Sequence, residues 1–418
     1  MIDGQEKTLE ARYEAVRTLT EVLCEPLEPE DFVIQSMDDV SPTKWHLAHT
    51  TWFFETFVLK PSAPSYQEHH PQYGYLFNSY YNTVGPMFAR RQRGVLSRPT
   101  VKEVFAYRRH VDGWMRRLLG GAFGEVSEEL AQVVEIGLHH EQQHQELLLT
   151  DIKHVLSCNP LGPIYREHKV VEGDTPEQRW VAFGEDLYRV GHDGEGFAFD
   201  NESPRHRVFL RGFELSSRLV TNGEYLEFMR DGGYATFALW LSEGWSAVQE
   251  QGWEAPLYWF ERDGAWWSMT LGGPRPVDLR EPVCHVSYFE ADAYARWAGA
   301  RLATEAEWEV ASAQAPRAGN FVEEAHYHPV PLTDDAGGLA QVFGDVWEWT
   351  ASPYVAYPGY EPLEGALGEY NGKFMCNQMV LRGGSCATSK THIRATYRNF
   401  FPTHARWQFM GIRLARDH

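Results

Sequence analysis

Residues 127–157 read as one long helix whose apolar seam is interrupted by two imidazoles. Leu130, Val133, Gly137, His140, His144, Leu147 and Asp151 recur at steps of three and four, the spacing that lines up one helix face. Such a seam has to be covered by other helices, so the chain needs a bundle around it. His140 and His144 lie about one turn apart, at positions where Leu or Val is expected. Burying imidazoles costs free energy unless their nitrogens are satisfied, and a metal ion satisfies one nitrogen on each ring. The plain alternative is a pair of core histidines bonded to polar neighbours.

Partner helices are legible on the N-terminal side. The stretch 5–24 carries Leu9, Tyr13, Val16, Leu19 and Leu23 at helical spacing. Ser41-Pro42 reads as an N-cap followed by proline at the first helical position. The helix it opens carries Trp45, His49, Trp52 and Leu59 on one face. A third helix over 100–119 has Val101, Val104, Val111, Met115 and Leu118 on its apolar side. Four such helices predict an antiparallel bundle, with a long connection over 61–99 that a compact domain keeps for function.

After about residue 165 the character changes. Twelve of the 15 tryptophans lie there, among frequent Gly-Gly and Pro breaks. Helices are expected only at 220–230, about 287–298 and 304–314, the last opened by a capping box from Thr304 to Glu307. The remainder reads as short strands and irregular chain. The fold class is therefore α+β, with a helical domain over 1–160 and a second domain over 161–418.

The third metal ligand has to come from another helix. His49 lies on the tryptophan-rich face of the second helix, and His46, three residues earlier, is its rival; His69 and His70 in the connection read as surface residues. Three neutral imidazoles leave a divalent ion with uncompensated charge and open positions, which suits an iron that takes a thiolate and dioxygen. Zinc, nickel and copper fit the same residues. The string His140-Glu141-Gln142-Gln143-His144 also matches the zinc-protease pattern, with Glu141 as general base. That reading lacks the Gly-x-x-His continuation of one large subclass and an evident downstream glutamate helix.

Composition narrows the partners. With 38 basic and 58 acidic residues the formal charge is −20, a surface that repels phosphate backbones, so nucleic acid is not an expected partner. The five cysteines, at 24, 158, 284, 376 and 386, form no close pair and read as reduced thiols of a cytoplasmic protein. No apolar run of spanning length or signal core occurs, so no membrane role is expected.

These residues resemble a known family. SPTKWHLAHTTWFFE around His49 and LHHEQQHQE around His140 and His144 look like a DinB-like helical bundle. FAFDNESPRHRV (197–208), VTNGEYLEF (220–228), RLATEAEWE (301–309), GDVWEWT (344–350), LRGGS (381–385) and GIRLARD (411–417) look like the formylglycine-generating, sulfatase-modifying fold related to C-type lectins. The two in this order, over nearly the whole chain, are similar to the ergothioneine-biosynthesis sulfoxide synthases of EgtB type.

The resemblance implies an iron(II) enzyme that uses O2 to join the sulfur of cysteine or γ-glutamylcysteine to the imidazole of hercynine, the trimethylated betaine of histidine, giving a sulfoxide. It implies His49, His140 and His144 as iron ligands and Gln143 as a contact to the hercynine imidazole. Arg90 and Arg93 match arginines that bind the thiol substrate's carboxylate, and Tyr80 and Tyr81 match active-site tyrosines of one subgroup. Asn399 and Phe400, in the string RNFFP, match residues lining the site near the betaine. Phe401 stands where the better-known subgroup has an acid, which together with the tyrosine pair implies cysteine rather than γ-glutamylcysteine. Only Cys386 directly follows the Gly-Gly-Ser string, so the close cysteine pair of formylglycine generation is not expected here. Two other functions are carried forward: an ovothiol-type 5-histidylcysteine sulfoxide synthase, and a non-catalytic lectin-like binding protein. Trp347 and Trp349 are assigned to fold stability.

Overall fold

A computed structural model describes residues 8–313, 315–334 and 337–418. Residues 5–7 of the expected first helix and residue 314 of the expected last one lie outside them. The chain divides into two compact units. One runs to Asn159 and takes in Glu364–Tyr370; the other comprises Pro160–Leu363 and Asn371–His418.

The first unit is built on α1 (Leu9–Cys24), α2 (Thr43–Phe54), α5 (Val101–Leu119) and α6 (Glu128–Ser157), with single-turn α3 (Lys60–Ser62) and short α4 (Tyr73–Phe77) in the long connection. Side chains of Thr8, Thr100 and Ser127 cap α1, α5 and α6 by accepting backbone N–H groups. The centre of the bundle is α2, all of whose residues are buried. It runs directly into a π-helical turn, Glu55–Leu59.

The start of α2 differs from expectation. Pro42 occupies the N-cap position and no side chain caps the helix. Ser41 is drawn into other bonds: its N–H donates to Asp151 Oδ2 at 2.8 Å, and its hydroxyl accepts from Arg93 Nη1 at 2.9 Å. A long-range partner has outcompeted the local cap.

In the second unit, two four-stranded sheets carry the core. Their strand orders are β1 (Trp180–Phe183), β4 (Phe213–Ser216), β13 (Leu414–Asp417), β8 (Arg301–Leu302), and β11 (Asn399–Pro402), β10 (Gln378–Arg382), β9 (Trp347–Pro353), β12 (Met410–Gly411). A hairpin of β2 (Asp186–Val190) and β3 (His206–Leu210) and a three-stranded meander of β5 (Trp259–Arg262), β6 (Ala265–Thr270) and β7 (Gly273–Pro276) complete the strands. The helices are α7 (Asn222–Arg230), α8 (Ser242–Gln251), α9 (Tyr288–Trp297) and α10 (Glu305–Ser312). Sequence reading missed α8, whose ten residues end at Gly252 in the left-handed conformation, φ 64°. The capping box of Thr304 and Glu307 is present.

The quoted strings of this unit are tied to one another by buried ion pairs. Glu348 Oε2 accepts from Trp308 Nε1 and Arg413 Nε, both at 2.8 Å. Arg382 pairs with Glu309, and Arg398 holds Glu305 through two bonds of 3.0 Å. Trp347 and Trp349 are each 1% exposed, as core residues should be. All five cysteines are free thiols. No helix among the described residues is long and apolar enough to cross a membrane.

Candidate metal centre

The centre forms between α2 and α6. Gly137 permits that approach: a Cβ there would lie 2.6 Å from Phe54 Cε1 and 2.8 Å from Phe53 Cε1. One turn further along α6 comes His140, then His144, and α2 presents His46 and His49. Ligand atoms of His49, His140 and His144 all lie within 4.8 Å of one another. The Nε2 atoms of His49 and His140 are 3.2 Å apart.

His49 is fixed on every side. Its ring is stacked between Trp45, four residues earlier, at 4.5 Å and 13°, and Trp52, three residues later, at 5.6 Å and 16°. Its Nδ1 donates to the carbonyl of Phe77 at 2.6 Å, which leaves Nε2 as the lone-pair nitrogen. Burial holds all three imidazoles below their ordinary pKa, His140 at about 3, so they are neutral, the form that binds metals. His140 Nδ1 is buried with no hydrogen-bond partner among the described residues. Converging neutral nitrogens, with no carboxylate or thiolate in the group, are a donor set for a divalent first-row metal.

His46 stands outside this trio. Its Nδ1 is 2.8 Å from His144 Nδ1 and its Nε2 is 3.0 Å from Asp151 Oδ2. The protease reading of Glu141 is corrected. Burial alone would raise its pKa, but Arg108 and Arg17, at 2.6 and 2.7 Å, and the Thr20 hydroxyl hold it at about 2. A carboxylate so engaged by arginines from α1 and α5 is a structural anchor and a poor base.

Beside the trio, Arg93 is 4% exposed. Its guanidinium lies 3.3 Å from the centroid of Trp45, the same indole that stacks on His49. It donates to the hydroxyls of Ser41 and Ser79, at 2.9 and 3.3 Å. Both of these bonded partners are neutral hydroxyls. Arg90 donates to the Tyr80 hydroxyl at 3.1 Å and to the Asp39 carbonyl. Tyr80 is exposed, whereas Tyr81 is buried among Trp52, Phe57 and Tyr370. Burial pushes the Tyr81 hydroxyl up in pKa, and that hydroxyl has no partner among the described residues.

The likeness to known proteins can be set against this geometry. The DinB superfamily model matches residues 12–148, and the sulfatase-modifying factor enzyme 1-like domain matches 167–333 and 322–418. A hercynine oxygenase of Mycolicibacterium thermoresistibile is 31% identical over 419 residues, covering 90% of this chain and 88% of that protein. The chain belongs to the EgtB-type hercynine oxygenase family. The Mycobacterium tuberculosis hercynine oxygenase is 38% identical over 53% of this chain, a match that spans 57% of that relative. Ergothioneine biosynthesis protein 1 of Schizosaccharomyces pombe is 28% identical over 53% of this chain and 28% of its own length.

In this EgtB-type chain, one residue near the trio escaped sequence reading. Tyr370 stands with its ring 5.6 Å from that of His140, and its hydroxyl donates to Gln143 Oε1. Its segment is held by Glu369, whose carboxylate accepts the N–H groups of Asn82 and Thr83 at 3.0 and 2.8 Å. No local signal marks Tyr370, because its neighbours are brought to it from far along the chain. Asn399, Phe400 and Phe401 lie half-buried on β11 of the second unit. There Phe400 stacks on Tyr354 at 4.0 Å and Phe401 meets Trp407 edge-on at 5.8 Å.

Proposed function

We propose that the protein is an iron(II)- and O2-dependent sulfoxide synthase that joins the sulfur of cysteine to the imidazole of hercynine. The observation that carries this is the trio of neutral imidazoles, buried His49 and His140 and half-buried His144, in a chain of the hercynine oxygenase family. Iron(II) bound there supplies the redox chemistry with dioxygen. The balance is closed: a C–H and an S–H bond are lost, a C–S bond forms, one oxygen atom goes to sulfur and the other leaves as water.

The chain's own groups bind and orient. Arg93 and Arg90 grip the cysteine carboxylate with charge-assisted bonds. Gln143 is the residue assigned to the hercynine imidazole, and Asn399 and Phe400 are those assigned to the betaine by likeness to the family. Phe401, an apolar ring, offers no contact to the second carboxylate of γ-glutamylcysteine. Tyr81, with Tyr80 beside Arg90, supplies a hydroxyl that is protonated at neutral pH and so can donate a proton in the oxygen chemistry.

The test is turnover of the iron-loaded full chain with O2 and pairs of candidate substrates, products being read by mass spectrometry. Hercynine with cysteine should give the hercynyl-cysteine sulfoxide. Tyr81→Phe should divert cysteine toward its sulfinate. Preference for histidine with 5-regiochemistry would instead support an ovothiol-type activity, and no turnover with any pair would favour a binding protein. An unchanged product ratio in Tyr81→Phe and Tyr80→Phe would remove both tyrosines from the chemistry.

A further inference from the structure

We propose that His46 is a positioning residue of the metal centre, accepting the Nδ1–H of His144 and thereby presenting the His144 Nε2 lone pair to the metal. The inference rests on the metal-site reading above but not on which substrates the site takes.

The argument begins at Asp151. Its Oδ2 accepts the N–H of Ser41 at 2.8 Å and stands 3.0 Å from His46 Nε2. A carboxylate oxygen accepts, so Nε2 of His46 carries the proton. With Nε2 donating to the carboxylate, Nδ1 is the nitrogen of the ring that can accept. It stands 2.8 Å from His144 Nδ1, a contact that needs one proton between two nitrogens. That proton belongs to His144. Its Nε2 is then left unprotonated, with a lone pair to offer as the ligand atom of the trio. The opposite assignment would put a proton on the His144 nitrogen that has to bind.

The helices make this arrangement by spacing. Asp151 follows His144 by seven residues, two turns of α6, so ligand and carboxylate share a face. His46 precedes His49 by three on α2 and bridges the two. The ligands are thus fixed by different devices: a backbone carbonyl, that of Phe77, for His49, and a second histidine braced by a carboxylate for His144. Outer groups of this kind set the tautomer and the orientation of a ligating ring and raise its basicity.

The experiment uses the metal-free full chain with cobalt(II) as probe, its visible spectrum reporting coordination and chelator competition giving Kd. His46→Leu should weaken cobalt binding tenfold to a hundredfold, roughly what loss of an outer-shell partner does elsewhere. His46→Asn, whose Oδ1 takes the place of Nδ1 as acceptor, should recover most of that loss. Asp151→Asn should give a smaller loss than His46→Leu. In the zinc-loaded wild type, nitrogen-15 NMR should find the His144 proton on Nδ1. Wild-type affinity and spectrum in His46→Leu, or a His144 proton on Nε2, would overturn the proposal. So would a His46→Asn variant as impaired as His46→Leu at the same thermal midpoint. Should His46→Leu not fold, Asp151→Asn and the wild-type NMR still decide. Cobalt binding that survives His49→Ala and His140→Ala would sink the metal-site reading itself. Binding that needs those residues but ignores His46 sinks only this inference.

Discussion

Arg93 carries a full charge where burial works against it, pulling its pKa below the ordinary value. Its bonded partners are two hydroxyls and an indole face, none of which neutralises it. A residue kept for stability would be cheaper to hold as an apolar side chain of similar length. Arg93→Met is therefore expected to leave the thermal midpoint unchanged or higher. It should raise the KM for cysteine about tenfold to a hundredfold, from loss of about 1.5–3 kcal/mol of charged hydrogen bonding, and leave that for hercynine nearly alone. Steady-state kinetics and melting curves check it; a lower midpoint with an unaltered KM would make Arg93 structural. At this scale the sequence spoke through residues whose chemistry conflicts with their setting. Imidazoles in an apolar seam and an arginine cluster in a long connection could be singled out. The separation of His46 from His49 could not, because both lie on the same part of α2 and only the positions of Phe77 and Asp151 tell them apart. Glu141 was misleading for the same reason, since the arginines that engage it arrive from α1 and α5.

Between elements, the meeting of α2 and α6 decides whether the centre exists. Gly137 is a poor helix residue, costing about 1 kcal/mol relative to alanine. Helix propensity alone therefore expects Gly137→Ala to stabilise by about that amount. The aromatic contacts argue the other way: a methyl group would press on the rings of Phe53 and Phe54, both 0% exposed and unable to swing into solvent. Overpacking of that kind costs about 1–3 kcal/mol. Gly137→Ala is expected to lower stability or leave it level, and to weaken metal binding by moving His140 relative to His49. Denaturant melts and chelator competition measure both; a more stable variant with unchanged metal affinity would mean that the helices do not need this approach. Periodicity revealed these helices because each has a face to bury, while the start of α2 was misread because Ser41 is spent on Asp151 and Arg93. Helix α8 was missed because tryptophans flank and interrupt its pattern.

Across the whole molecule, the change in composition near residue 165 announced two architectures, since helix seams and short tryptophan-rich strands cannot share one pattern. What composition could not announce is the placement of Glu364–Tyr370 with the bundle, far along the chain from the helices it joins. That segment is fastened by Glu369 to Asn82 and Thr83 in the long connection and by Tyr370 to Gln143 on α6, a matter of three-dimensional position. The metal trio, by contrast, draws both its helices from within the first 160 residues, and this gives the molecule-wide expectation. A metal that binds the folded state stabilises it by RT ln(1 + [L]/Kd), about 2.7 kcal/mol at a free concentration one hundred times Kd. That stabilisation should not be spread evenly. Amide exchange that requires the trio to come apart should slow about a hundredfold on loading. The slowing should be greatest in peptides from Thr43–Phe54 and the middle of Glu128–Ser157. Exchange limited by local fraying, at Thr8 or around Gly120, should not respond. Hydrogen exchange with mass spectrometry, on metal-loaded and chelator-treated protein, reads this directly. Slowing that bypasses α2 and α6, or that persists in a His140→Ala protein, would show that the metal is held somewhere other than the trio.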